Sequence, residues 1–272
     1  MKECILLTTQ KHDEIRQNVR ERYQEIALQA QPSSTCCQTD SSYDPVKDVD
    51  QVSAQLGYSS AELQAVPAGA NLGLGCGNPQ AIASLQPGET VLDLGSGAGF
   101  DCFLAARQVG TSGKVIGVDM TPAMVTKARA NAETAQNKVV DFRLGEIEHL
   151  PVADETIDVI ISNCVINLSP DKNQVFQEAY RVLRSGGRLA ISDIVTTAEL
   201  PPVIKNDLHD LYSGCISGAS SIAELTTMME QSGFTQIRVE PKDESKNFLK
   251  EWLPGANIEN YIVSAVIQAV KP

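Results

Sequence analysis

Three of the seven cysteines in this 272-residue chain stand among glycines, serines and asparagines rather than in apolar runs. Cys76 lies in "NLGLGCGNPQAIA" (71–83), Cys164 in "SNCVINLS" and Cys215 in "YSGCISGASS". A doublet, Cys36–Cys37, falls in a Ser- and Pro-rich stretch, and Cys4 and Cys102 complete the set. No pair has Cys-x-x-Cys spacing, which argues against a zinc ribbon or a thioredoxin-type motif. The plain reading of any one cysteine is a small buried hydrophobe. Three thiols meeting at one point would instead favour a soft guest. Zinc would want a fourth ligand or an open position holding water. As(III) or Sb(III) takes three sulfurs in a pyramid and keeps a lone pair, which attacks an electrophilic carbon without a general base. None of His12, His149 and His209 shows the spacing of a catalytic base.

Two glycine-rich loops compete for a cofactor. A nucleotide-type loop needs a buried strand entering and a helix leaving. "TVLDLGSGAGFDCFLAARQ" meets that test, whereas "VPAGAN" before Gly73–Gly77 is no strand. The qualifying loop reads Asp93-x-Gly95-x-Gly97-x-Gly99. A dinucleotide fingerprint would place its third glycine at position 100, which is phenylalanine. A second acid, Asp119, ends the next strand, where it would bond ribose hydroxyls.

The elements that position these groups follow from periodicity. Residues 11–30 carry apolar side chains at helical spacing (Ile15, Val19, Tyr23). Strands are expected at 90–95, 114–119, 139–146, 157–163 and 188–195. Helices fall between them, with Thr121–Pro122 opening one and 171–184 forming another that Gly186–Gly187 ends. This alternation predicts βαβ units and a mostly parallel sheet with helices on both faces. A helix at 203–213, a capping box at Ser221–Glu224 and two final strands, one antiparallel, complete the chain. The expected division is 1–70 (helix and Cys36–Cys37 loop), 71–198 (Rossmann-like core) and 199–272 (C-terminal α+β region). In such sheets ligands sit beyond the carboxyl ends of the strands, so Cys164, directly after the fourth strand, falls beside the glycine loop.

Composition excludes several classes. A net charge of −12 argues against nucleic acid and anionic membranes. No apolar run approaches a membrane span, and "MKECILLTTQ" has too short an apolar patch for a secretory signal. A cytoplasmic, monomeric protein is expected.

The glycine triplet with both acids resembles the class I S-adenosylmethionine (SAM) methyltransferases. Over roughly residues 55–272, "GANLGLGCGNP", "SNCVINLSPDK" and "SGCISGA" resemble the arsenite methyltransferases of that class. The resemblance implies methyl transfer from SAM to trivalent arsenic held by Cys76, Cys164 and Cys215. It implies a further redox role for Cys36 or Cys37, with thioredoxin or glutathione as reductant and arsenite or methylarsenite as substrate. It assigns the cofactor to Asp93, Gly95, Ser96, Gly97, Gly99, Asp119, Met120, Glu146, Ile147 and Asn163. Two other readings stay open: a SAM methyltransferase of another small molecule with incidental cysteines, and a non-enzymatic As(III)- or Sb(III)-binding protein. Thiolate chemistry predicts metalloid affinity that rises as pH approaches about 8.5.

Overall fold

A computed structural model describes residues 2–29, 49–205, 215–253 and 255–272. Cys36, Cys37 and His209, and most of the helix expected at 203–213, lie outside them. Five strands rich in β-branched residues form the parallel part of one sheet: β1 (Thr90–Leu94), β2 (Lys114–Asp119), β3 (Val140–Leu144), β4 (Ile157–Asn163) and β5 (Leu183–Thr196). A two-residue β6 (Ser220–Ser221) pairs with β5, and β7 (Thr235–Lys242) and β8 (Ile262–Val270) extend the sheet. The order is β3-β2-β1-β4-β5-β8-β7, with β8 antiparallel to both its neighbours. Strand order therefore reverses between β1 and β4, which opens a crevice at their carboxyl ends. The C-terminal strands share the core of the parallel section: Val263 and Ile267 of β8 pack in one cluster with Leu92, Ile160 and Ile191.

Helices α1 (Lys2–Gln29), α2 (Val49–Gln55), α3 (Ser60–Leu63) and α4 (Gln80–Ala83) precede β1. α5 (Phe100–Val109), α6 (Pro122–Thr134) and α7 (Lys172–Val182) cross over between strands. Short α8 (Pro202–Lys205), α9 (Ile222–Gln231) and α10 (Lys246–Leu249) follow. α6 opens with Pro122 in its first turn after Thr121, although the Thr121 side chain makes no cap bond. α9 has the complete capping box at Ser221 and Glu224.

One boundary differs from the expectation. The seventh helix ends at Val182, and β5 begins at once and runs through Gly186 and Gly187. The glycines do not cap the helix, because Leu183 already has extended backbone and pairs with Ile157 across the sheet.

Candidate functional site

The cofactor loop is built by its glycines. Gly95 and Gly97 take positive φ (68° and 52°), a region that glycine enters without strain. A Cβ on Gly95 would stand 2.3 Å from Val165, whereas one on Gly97 would meet nothing within 4 Å. The backbone at Gly97 is thus open to close approach by a ligand. Gly99 serves packing: a Cβ there would lie 2.7 Å from the Phe142 ring. Asp119 accepts from the Gly97 N–H (2.9 Å) and the Thr121 N–H (2.8 Å), one on each oxygen, and each oxygen keeps a lone pair for a diol. Burial raises its pKa despite these two donors. Asp93 is buried as well; desolvation and then the neighbouring Asp101 raise its pKa, and it accepts from the Cys102 thiol at 3.2 Å.

These residues open onto a cavity of about 760 Å³, within the range of cofactor sites. Asp93, Gly95, Ser96, Gly97, Asp119, Met120, Ile147 and Asn163 line it, and so do Cys164 and Cys215. Gly99 and Glu146 are not on its wall; Glu146 faces α1 instead, paired with Arg20 at 2.6 Å. Ser96 Oγ is buried with no hydrogen-bond partner. An orphaned hydroxyl in the loop, an acid with free lone pairs and a glycine with open space together fit the sugar and amino-acid parts of SAM.

At the other end of the cavity the thiols converge. Cys76 and Cys164 Sγ lie within 4.8 Å of each other and of an Asp193 carboxylate oxygen. The Cys164 thiol lies close enough to those of Cys76 and Cys215 for each to act on its ionisation. The Cys215 thiol also donates to the Cys164 carbonyl (2.8 Å), and that of Cys76 to the Ser192 carbonyl (3.5 Å). All three are free cysteines and buried, with Cys76 behind the cavity wall. Cys164 and Cys215 are among the few non-glycine residues at positive φ (60° and 64°), a conformation that costs energy and here aims both side chains inward. Burial pushes the Cys76 thiol up to about 11. Cys215 favours the Cys164 thiolate, but Cys76 and burial outweigh it and raise that pKa. Cys164 and then burial raise that of Cys215. Cys102 is core, under the glycine loop.

Sequence reasoning missed two neighbours of the thiols. Asp193 is buried, and burial raises its pKa to about 6 although Ile194 and Ile166 N–H groups and the Asn167 amide donate to it. Its signal was an acid inside the apolar strand "RLAISDIV". Tyr23, on the apolar face of α1, lines the cavity and packs in the cluster that contains all three thiols. Burial, then Cys215 and Cys164, push its hydroxyl pKa up.

The family described as "Methyltransferase domain" matches residues 85–233. An arsenite methyltransferase of Halobacterium salinarum is 51% identical over 264 residues, 96% of this chain and 67% of its own length. The human arsenite methyltransferase is 42% identical over 158 residues, 55% of this chain and 42% of its own. The chain thus spans about two thirds of the first relative and less than half of the second. Among solved structures, the arsenic (III) S-adenosylmethionine methyltransferase of Chlamydomonas reinhardtii superposes with a TM-score of 0.61 at 32% identity, covering 81% of this chain and 73% of that one. A glycine loop with its two acids, a cavity lined by two thiols with a third behind its wall, and likeness along nearly all of its length place the chain in one family: it belongs to the arsenite methyltransferases, within the class I SAM-dependent methyltransferases.

Proposed function

We propose that this chain transfers methyl groups from SAM to trivalent arsenic held by Cys76, Cys164 and Cys215. The observation that carries this reading is the meeting of three buried thiols at one end of the cavity whose other end is the glycine loop and Asp119. SAM supplies an electrophilic methyl on a sulfonium. The chain's part is to fix its sugar with Asp119, to hold the metalloid and to keep water out, so that catalysis is mainly positioning.

Loading balances without net proton release. Each cysteine S–H replaces one As–OH, forming an As–S bond and one water. Thiols held protonated by burial suit this exchange, since it adds no charge to the apolar cluster. The arsenic lone pair then accepts the methyl, which raises arsenic by two oxidation units. Coupling of two cysteine sulfurs into a disulfide breaks two As–S bonds and leaves their electrons on arsenic; a water or thiol then binds the cationic arsenic and loses a proton, and a dithiol or glutathione restores the cysteines by exchange. A reducing cytoplasm, thioredoxin or glutathione as electron source, action as a monomer and a redox role for Cys36 or Cys37 belong to the same reading. Glu146 and Gly99 then act on the cofactor indirectly, by holding α1 and the loop.

The test is mass spectrometry of products from purified protein, arsenite, methyl-labelled SAM and a thiol. Labelled methylarsenicals are expected from the wild type. Cys164→Ser and Cys215→Ser should each lose at least about 100-fold in rate while SAM binding persists, because a single missing ligand misplaces the nucleophile. Full activity in either variant rejects the thiol-held substrate.

A further inference from the structure

The loop that carries Cys76 has little structure of its own. Residues 71–79 form neither helix nor strand, and Gly73 and Gly75 take φ of 65° and 123°. Such a segment does not by itself hold a thiol to within an ångström. Bonds to the neighbouring strands hold it, and one side chain supplies two of them. Asn163 Oδ1 accepts the Cys76 N–H at 2.9 Å, and Asn163 Nδ2 donates to the Gly77 carbonyl at 2.7 Å. The amide therefore pairs with backbone on both sides of Cys76, as a neighbouring strand would. Its second N–H donates to the Tyr58 hydroxyl at 3.0 Å, which in turn donates to Asp101 at 2.9 and 3.0 Å. Both donors of Asn163 are thereby used, which leaves only a lone pair of Oδ1 for anything in the cavity. Ser264 Oγ closes the remaining backbone group, donating to the Cys76 carbonyl at 2.7 Å.

Position in the chain makes this pairing consequential. Asn163 is the last residue of β4, and Cys164 follows it with its thiol turned inward. The two thiols hang from adjacent points of one rigid element, Cys164 covalently and Cys76 through the amide. The fit is close: a Cβ on Gly75 would lie 2.7 Å from Asn163 Nδ2 and 2.8 Å from Oδ1. Glycine at 75 is what lets the loop come near enough for the amide to reach it.

We infer that Asn163 is a positioning residue that holds Cys76 against Cys164 and so decides whether the substrate meets a third thiol. This rests on the arsenic reading above for its substrate, but not for its geometry. An arsenical with one methyl has two exchangeable oxygens and needs only Cys164 and Cys215. Arsenite has three, and loses a bond when Cys76 drifts away. A residue that merely supported the fold would weaken both alike.

Two measurements on the full chain test it. The first uses no arsenic. In a Cys215→Ser background, diamide oxidises Cys76 and Cys164 to a disulfide, each losing one hydrogen to the reagent, and peptide mass mapping times that linkage. Asn163→Ala is expected to slow it at least tenfold. The second titrates sodium arsenite and methylarsenite into otherwise wild-type protein. The sole tryptophan, Trp252, lines the cavity and reports binding by fluorescence. Asn163→Ala should raise the arsenite Kd tenfold or more and leave the methylarsenite Kd within about threefold. Gly75→Ala keeps Asn163 but pushes the loop off it, and should give the same pattern if Asn163→Ala fails to fold. An unchanged linkage rate, or equal losses of both arsenicals, overturns the assignment. If the wild type binds neither arsenical while the linkage still slows, the Asn163 clasp stands and the arsenic reading fails.

Discussion

Exchange of a protonated thiol for an As–OH group consumes and releases no proton, and this sets the pH behaviour of the three cysteines. The sequence-based expectation was affinity rising toward pH 8.5, as for exposed thiols. Burial changes the outcome, because it moves Cys76 up to about 11 and raises Cys164 and Cys215 too. Between pH 6 and about 8.5 all three stay protonated, so the equilibrium affinity for arsenite should be flat within about twofold. Titrating arsenite at pH 6.0, 7.0 and 8.5 checks this. A steep rise with pH would mean that at least one thiol opens to solvent when it reacts. The identities of the cysteines were legible in the sequence because each interrupts a small-residue loop. Their protonation was not, since it depends on packing: Cys76 shares an apolar cluster with Ile15 and Val19 of α1, more than fifty residues away in the chain.

At the scale of elements, α1 shows how far periodicity reaches. Its apolar face was predicted from Ile15, Val19 and Tyr23, and these do pack inward. What that face covers could not be read, because a stripe specifies burial without naming its partner. The polar contacts name it. Arg16 lies 3.6 Å from Glu146 and 3.3 Å from the buried Glu148, and Arg20 lies 2.6 Å from Glu146. The Ser169 hydroxyl donates to Glu148 at 2.8 Å, fixing that carboxylate in place. The two arginines therefore latch α1 onto the loop after β3, over a cavity that Val19, Tyr23 and Ile26 help enclose. Exposed ion pairs contribute little, but removing Arg16 leaves a buried charge without its cation. Arg16→Ala with Arg20→Ala should raise amide exchange across residues 10–29 at least about tenfold and increase the KM for SAM several-fold. About 0.5 M salt should reproduce the effect only at the more exposed Arg20 pair. Unaltered exchange in the double variant would show that the apolar face alone holds the helix. The strands were legible for the opposite reason: runs such as "IDVIISN" are buried on both faces, and an unbroken apolar run bounded by polar turns has few other solutions.

For the molecule as a whole, the buried acids set an unusual response to pH. Asp193 and Asp101 have folded-state pKa values raised from 3.8 to about 6, in both cases chiefly by burial. The folded chain thus binds protons more tightly than the unfolded one, and stability falls as pH rises from about 4 through 6. From there to about pH 8 it is level. Lowering pH from 8 to 5 should return about 1.4 kcal/mol for each group, or roughly 3 kcal/mol together. The net charge of −12 acts in the same direction, because protonation relieves self-repulsion. Opposing terms come from carboxylates whose pKa values are lowered, chiefly Glu178 by its bond from Arg181, Glu224 by the Ser221 cap, and Glu89, where Arg188 and Gln86 outweigh burial. Those contributions are lost only as pH falls below the ordinary carboxylate value near 4.5. The ligand-free chain should therefore melt about 5 °C higher at pH 5 than at pH 8, followed by circular dichroism at constant ionic strength. A melting temperature that falls steadily as pH is lowered from 8 to 5 would mean that Asp193 and Asp101 keep ordinary carboxylate pKa values in the fold, so that burial does not set their titration.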